Sequence, residues 1–292
     1  MKTAARQLLI LLTVAVCSQV AMAADLPAPA LRLAVGLVEE NDHGGAAVEF
    51  RRLALEASRP AERGAYYWAA GYEYFRCSKY ESVDKMLNHA EDEEAELKIP
   101  ALLLRGETAR ASKQWSEAAF YYETVLGGEV SDDEKSLAAK RLAGTKLAQK
   151  DVAAARDALN RSPAKSGEGT AALESYAAGH DKKPKVGGML GMIPGFGYFY
   201  SGEYANGFRS ILLNGLFIYG MVDTADKDQW GAFAVITFFE FTWYSGSIYG
   251  GIDAAHRFNR NRLDSAVGAI NGEAGFAPDY KQLPTLVLKF TF

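Results

Sequence analysis

A small residue recurs at a nearly constant interval through the first half of the chain, and this spacing limits the possible folds most. Ala34, Gly71, Gly106 and Ala143 are 37, 35 and 37 residues apart. Antiparallel helices approach closely only where the facing side chains are small, and larger side chains one turn away fill the grooves. Matching positions follow each small residue, twelve residues later (Ala46, Val83, Ala118, Ala155) and sixteen residues later (Phe50, Leu87, Tyr122, Leu159). The spacing predicts repeated helical hairpins.

Three segments carry this pattern most clearly: "YYWAAGYEYFRCSKYESVDKMLNHA", "ALLLRGETARASKQWSEAAFYYETVL" and "AAKRLAGTKLAQKDVAAARDAL". They resemble the tetratricopeptide repeat, which has a period of about 34 residues. The resemblance implies an all-α solenoid over residues 24–160, whose concave face binds a peptide or a protein. The proline that usually ends each repeat is absent from most copies.

Aromatic residues cluster in two of the predicted helices. A helix buries only one stripe of its surface, so some of these rings are expected to face outward and contact a protein partner. The alternative is that most of them belong to the core. The candidate partner-binding residues are Tyr66, Tyr67, Trp68, Tyr72, Trp115 and Tyr121.

The N-terminus has the features of an export signal. Lys2 and Arg6 precede a short apolar stretch, and Ala21-Met22-Ala23 places small residues before a cleavage site. Residues 1–23 are therefore predicted to be a signal peptide, and the repeats are predicted to be periplasmic. The net charge of -4 gives no sign of nucleic-acid binding.

The composition changes after a linker predicted at residues 161–185. Arg209 is the only charged residue from 207 to 222, and Glu240 is the only one from 230 to 250. Two apolar helices joined by the polar stretch "DTADKDQW" predict a membrane hairpin of transmembrane helices within a domain at 186–272. This hairpin is also the candidate contact between copies of the chain. The alternative is a hairpin buried in a soluble domain.

The stretch "IPGFGYFYSGEYANGFRSILLNG" leads into the first apolar helix. It is similar to the P-G-x-G-x-x-Y-x-G pattern of the two-helix transmembrane domain family of bacteria, some exported members of which carry tetratricopeptide-like repeats. The resemblance implies a membrane module and no enzymatic activity. We expect the glycines to serve the backbone rather than a ligand. The residues that match are Pro194, Gly195, Gly197, Tyr200, Gly202 and Gly207.

Two features of the second half conflict over topology. Basic residues flank the hairpin, and acidic residues fill its loop. By the positive-inside rule this charge distribution predicts that the repeats lie in the cytoplasm, whereas the export signal predicts that they lie in the periplasm. Either the hairpin enters the bilayer shallowly from the periplasm, or it lies in the outer membrane. The tail at 273–292 ends in alternating apolar residues and Phe292, a candidate outer-membrane signal. The alternative is a terminal strand docked on the domain.

No motif predicts chemistry. The four histidines lie in separate segments without the spacing of metal ligands, and the chain has neither a phosphate-binding loop nor a nucleophile motif. No catalytic, cofactor or metal site is therefore predicted. Glu240 is the one residue for which the sequence predicts a specific role. A carboxyl group in an apolar helix is costly in free energy, so it tends to be paired or functional. Its candidate partners are Arg209 and Asn214.

These observations favour a non-enzymatic, membrane-anchored periplasmic adaptor or scaffold of the cell envelope, which binds a protein through its repeats. The alternative is a membrane component of a transport or envelope-assembly system, with Glu240 on a polar path.

Overall fold

The structure is a computed structural model that describes residues 29–164 and 167–292. The predicted signal peptide lies outside these residues. Within the described ranges the chain forms thirteen α-helices and one two-stranded sheet, which confirms the prediction of a helical fold. No helix in these ranges is both long enough and apolar enough to cross a bilayer.

The elements follow one another with short connections. The helices are α1 (Pro29–Glu39), α2 (His43–Glu56), α3 (Pro60–Arg76), α4 (Tyr80–Glu93), α5 (Lys98–Ala111), α6 (Trp115–Leu126), α7 (Asp132–Ala148), α8 (Val152–Asn160), α9 (Gly167–Ala178), α10 (Pro184–Gly191), α11 (Phe196–Tyr200), α12 (Tyr204–Asp226) and α13 (Trp230–Asn271). The antiparallel strands are β1 (Gly275–Pro278) and β2 (Leu288–Thr291).

The described residues divide into two compact units. One contains residues 29–138 and Glu273–Phe292, and the other contains Ala139–Gly272. The boundary between the units falls within α7, and residues 273–292 belong to the first unit. Helix α8 belongs to the second unit, where Arg156 donates to Glu174 of α9 over 2.7 Å.

Helical hairpins in the first unit pack where the repeated small residues predict. A Cβ atom added at Gly106 of α5 would lie 2.6 Å from the ring of Tyr122 in α6. One added at Gly71 of α3 would lie 3.3 Å from Leu87 in α4. Both partners are fully buried, so each glycine leaves the space that a large side chain of the facing helix occupies.

The turns between paired helices share one geometry. Asn41, Ser78, Lys113 and Lys150 all have a left-handed backbone, with φ between 59° and 64°. They are again 37, 35 and 37 residues apart. In each turn the next residue donates its N–H to a carbonyl five positions earlier, which is the Schellman end of a helix. The interval between the small residues therefore recurs in the positions of the turns.

The second unit is organised around its longest helix, α13, which has 42 residues. Helices α9, α10, α11 and α12 all pack against it. Helix α12 runs antiparallel to the first half of α13. Their turn repeats the Schellman geometry, with a left-handed Asp228 and a hydrogen bond of 2.9 Å from the Gln229 N–H to the Thr224 carbonyl.

The left-handed turns predict the effect of a glycine. Lys113 has φ 59°, which costs an L-residue about 1–2 kcal/mol, whereas glycine adopts this backbone freely but loses about 0.5–1 kcal/mol of chain entropy on folding. We expect Lys113→Gly to raise the free energy of unfolding by up to about 1 kcal/mol. Urea denaturation followed by circular dichroism measures it.

The neighbouring residue supplies the control. Gln114 has φ -83° and gains nothing from glycine, so Gln114→Gly should lower the free energy of unfolding. Equal effects from the two substitutions would show that the left-handed backbone is not a source of strain.

Candidate functional site

The glycine-rich stretch before α12 forms a tight turn. Gly195 has φ 88°, a backbone that L-residues rarely adopt, and it begins α11. A Cβ atom here would lie 2.5 Å from the carbonyl oxygen of Gly207 in α12. Position 195 therefore requires glycine both for its φ angle and for the close approach of two backbones.

Gly197 lies where three helices meet. A Cβ atom on it would lie 2.5 Å from the Gly187 carbonyl of α10 and 2.7 Å from Cα of Gly251 in α13. Gly187 and Gly251 are themselves in backbone contact. We call Gly187, Gly197 and Gly251 the glycine junction. It packs α10 and α11 directly on the backbone of α13.

The other residues of the motif serve the same arrangement. Pro194 lies in the turn between α10 and α11, and the Tyr200 hydroxyl accepts a hydrogen bond of 3.0 Å from the Lys183 N–H. Gly202, with φ 80°, closes α11 in the Schellman geometry. Gly207 packs under the ring of Phe199. Each of the six motif residues therefore lies in a turn, packs closely against a neighbour or makes a hydrogen bond.

An ion pair connects the start of α12 to α13. Arg257 donates two hydrogen bonds, of 2.8 and 2.9 Å, to the carboxylate of Glu203. The Asn206 amide donates a third over 2.7 Å. The hydrogen bonds from Arg257 lower the pKa of Glu203, with desolvation acting against them. Glu203 therefore remains charged at neutral pH, and both of its carboxylate oxygens accept hydrogen bonds from within the unit.

A cavity of about 330 Å³ with both polar and apolar lining opens between α11, α12 and α13. Arg209, Ser210, Thr242 and Ser247 are among its lining residues. Ser210 and Ser247 are buried, and their hydroxyl oxygens are 3.3 Å apart. The serine hydroxyls thus form a hydrogen-bonding floor within a hairpin whose outer face is apolar.

Glu240 has none of the partners expected for it. It is 9% exposed, and its Oε2 atom has no hydrogen-bond partner among the described residues. Arg209 instead donates to Asn206 over 3.2 Å. The Nδ2 group of Asn214 donates to the Ser210 carbonyl over 2.7 Å, while its Oδ1 atom lacks a partner in the same part of the chain. The suggested structural pairing of Glu240 is therefore not formed.

The candidate partner-binding aromatics divide into two groups. Tyr67, Trp68 and Tyr72 are buried, whereas Tyr66, Trp115 and Tyr121 are half-buried. The buried group is covered in part by the chain's own C-terminal segment. The Phe276 ring lies 6.2 Å from the rings of Trp68 and Tyr72, and the Tyr72 hydroxyl donates to the Phe276 carbonyl over 3.1 Å.

A buried carboxylate holds this segment in place. Glu73 is fully buried and accepts hydrogen bonds from His43 Nδ1, at 2.6 Å, and from the Tyr280 hydroxyl. The Tyr280 ring stacks on Phe50 at 5.5 Å. Burial, followed by the charge and hydrogen bond of Glu73, raises the pKa of Tyr280, so its hydroxyl remains a donor at neutral pH.

Sequence reasoning missed this cluster because its members are far apart in the chain. Glu73 and Tyr280 are 207 positions apart, and His43 has no recognisable motif around it. The available signal was an acidic residue inside an aromatic run of α3. Among residues 29–164 and 167–292, no group of three or more His, Cys, Asp or Glu side chains is placed to hold a metal ion.

Comparison with protein-family models, curated proteins and solved structures finds no match to this chain. The resemblances to the tetratricopeptide repeat and to the two-helix transmembrane domain stay predictions.

The glycine turn generates a direct test. Gly195→Ala combined with Gly197→Ala places two Cβ atoms against backbone, so we expect overpacking to lower the stability of the second unit by about 1–3 kcal/mol. Hydrogen–deuterium exchange followed by mass spectrometry should show faster exchange in α10 to α13 and unchanged exchange in α3 to α6.

Two other helical glycines provide a matched control. Gly215 of α12 and Gly231 of α13 have nothing within 4 Å of an added Cβ atom. Gly215→Ala with Gly231→Ala should slow exchange or leave it unchanged, because alanine favours the helix. If the first pair exchanges like the parent protein, the glycines have no backbone role.

Proposed function

We propose that this chain is a non-enzymatic adaptor of the cell envelope, held at a lipid bilayer by α12 and the first half of α13. Its helical hairpins bind a protein partner on the periplasmic side. The observation that carries the membrane part is the apolar surface of α12 and α13. The predicted export signal supports the location.

This surface, which we call the apolar face, consists of large side chains turned away from the rest of the unit. Leu212 is 72% exposed, Phe238 68% and Phe241 73%. A contiguous apolar surface is costly in water and marks an interaction site for a membrane or a partner. The exposed members are Phe208, Leu212, Leu216, Ile218, Tyr219, Val222, Trp230, Val235, Phe238, Phe239, Phe241, Trp243 and Tyr249.

The placement of polar groups supports a lipid environment. Four polar side chains within the apolar stretches of this hairpin, Ser210, Asn214, Glu240 and Ser247, are buried while the neighbouring apolar residues are exposed. A soluble helix has the opposite arrangement. Exposed rings such as Trp230 and Tyr249 at the ends of the apolar stretch resemble the aromatic residues of membrane interfaces.

The partner-binding surface of the adaptor is proposed on α6. Phe120 is exposed there and contacts the ring of Tyr121 edge-on at 5.6 Å, next to the half-buried Trp115. Aromatic side chains with a free face are enriched in protein interfaces. Trp68 and Tyr72 do not supply such a surface, because the C-terminal segment covers them.

Vesicle flotation tests the membrane assignment. The purified full-length chain should float with phospholipid vesicles. Leu212→Ser, Phe238→Ser and Phe241→Ser together should lower its partition by roughly tenfold or more, since each substitution removes a large apolar contact. The matched control is Leu33→Ser, Val48→Ser and Leu55→Ser, which changes three exposed apolar residues of the first unit and should leave flotation unchanged.

Three results would overturn the proposal. A parent protein that stays at the bottom of the gradient has no affinity for the bilayer. Equal losses in the two triple variants would show that general hydrophobicity, rather than the apolar face, governs flotation. A parent protein that forms stable dimers without lipid would assign the face to a second copy of the chain.

Glu240 favours a second candidate function, a membrane component of a transport or envelope-assembly system. Glu240 Oε2 and Asn214 Oδ1 are buried in this hairpin without hydrogen-bond partners among the described residues, which would suit a polar path. Under this function the parent protein should dissipate a pH gradient across proteoliposomes, and Glu240→Gln should abolish the flux. Asp226→Asn, which neutralises an exposed carboxylate of the same hairpin, should retain it. A parent protein without flux removes this candidate.

A further inference from the structure

Arg209 lines the cavity and differs in its pairing from three other arginines of the second unit. Arg156, Arg257 and Arg262 each donate to a carboxylate, namely Glu174, Glu203 and Asp181. Arg209 makes no ion pair with the described residues. Its one hydrogen bond there joins Nη1 to Asn206 Oδ1 over 3.2 Å. Most of the five N–H donors of its guanidinium group are therefore available to a ligand.

The cavity contains no acidic side chain that would compete for this cation. The carboxylate of Glu203 is already held by Arg257 and by the Nδ2 group of Asn206. That bond also fixes the orientation of the Asn206 amide, so that its oxygen faces Arg209. The remaining lining offers two neutral donors, the hydroxyl groups of Tyr198 and Ser247, because the Ser210 hydroxyl donates to Ser247 and the Thr242 hydroxyl donates to the Phe238 carbonyl. One unpaired guanidinium group among neutral donors suits a single anion.

The rim of the cavity indicates where the anion comes from. Trp243 lines the cavity and is also part of the apolar face. Phe208, directly before Arg209 in the sequence, and Leu212, one turn later, are strongly exposed members of the same face. A ligand in this cavity therefore contacts a cation at one end and apolar side chains at the other. An anionic group attached to apolar chains fits both.

We infer that this cavity binds the phosphate group of a phospholipid, with Arg209 donating to the phosphate oxygens and the apolar face contacting the acyl chains. The inference rests on the proposed membrane association and adds a specific headgroup site to it. The planar guanidinium group matches two phosphate oxygens at once, which an ammonium group cannot do. The volume of about 330 Å³ is at the lower end of the range for small-molecule sites.

The test compares vesicles whose lipids carry a phosphate group with vesicles whose lipids carry none. The full-length chain is floated with vesicles of phosphatidylglycerol and phosphatidylcholine, and separately with vesicles of a neutral galactolipid. We expect the parent protein to bind both and to prefer the phosphate-bearing vesicles. Arg209→Gln should reduce that preference by roughly tenfold, because it removes charge-assisted hydrogen bonds. Arg209→Lys should retain part of it.

Arg260→Gln provides the matched control. Arg260 is exposed on α13, lies outside this cavity and carries the same charge, so its removal tests general attraction to an anionic surface. We expect it to leave the preference unchanged. Circular dichroism of each variant establishes that the helices are intact before binding is measured.

The outcomes separate this inference from the proposed function. A parent protein that binds neither vesicle overturns both. Binding to both vesicles without preference, or equal losses in Arg209→Gln and Arg260→Gln, overturns the headgroup site alone. Competition by soluble glycerol phosphate would assign the cavity to a free phosphate ester and overturn the assignment to lipid. No competition, together with an effect confined to Arg209, supports it.

Discussion

The close approach of helices at positions that lack a side chain is the contact on which both units depend. In the first unit, Gly106 leaves room for the ring of Tyr122, and Gly71 for Leu87. In the second, the glycine junction brings the backbones of α10, α11 and α13 into direct contact. In a close-packed interior, adding a single methyl group displaces the neighbouring atoms. These glycine positions therefore set the distances between the helices that pack on them. The hairpin α12–α13 projects from this junction.

The same turn recurs in five helical hairpins of the described residues, at Asn41, Ser78, Lys113, Lys150 and Asp228. Its left-handed residue ends the first helix, and the next N–H reaches back to a carbonyl five residues earlier. In these hairpins the left-handed residue is Asn, Ser, Lys or Asp, whereas the motif before α12 uses Gly202. A short turn of this kind holds neighbouring helices antiparallel. It explains how a chain with few strands buries a core through local contacts.

The second unit has polar residues inside its hairpin and apolar residues outside. Hydroxyl groups, Asn214 and Glu240 face the interior, and large rings and leucines face outward. This arrangement suits an apolar surrounding medium, because the polar groups then find partners within the protein or in a bound ligand. Arg209 is at the edge of both regions. The proposed bilayer contact and the proposed phosphate site are two consequences of this single arrangement.

Much of the fold could be predicted from the sequence, because the deciding interactions are local. The spacing of Gly71, Leu87, Gly106 and Tyr122 reports contacts between successive helices, and the helical character of the chain follows from it. The need for glycine at Gly195 likewise follows from the adjacent Pro194 and the crowded turn. Such features depend on residues within one hairpin, where chain geometry leaves few alternatives.

Only the tertiary structure decided which side chains are covered by or paired with other residues of the chain and which are available to a ligand or partner. Trp68 and Tyr72 looked available for a partner, yet Phe276 covers them and Glu73 holds Tyr280 across 207 residues of sequence. Glu240 and Arg209 looked like a pair, yet Arg209 contacts Asn206 and the carboxyl oxygen of Glu240 has no partner in the described chain. Contacts between distant residues depend on how whole elements pack. The periodicity of the sequence does not report that packing. The contact of the C-terminal segment with Trp68 and Tyr72, and the cavity beside Arg209, are therefore visible only in the tertiary structure.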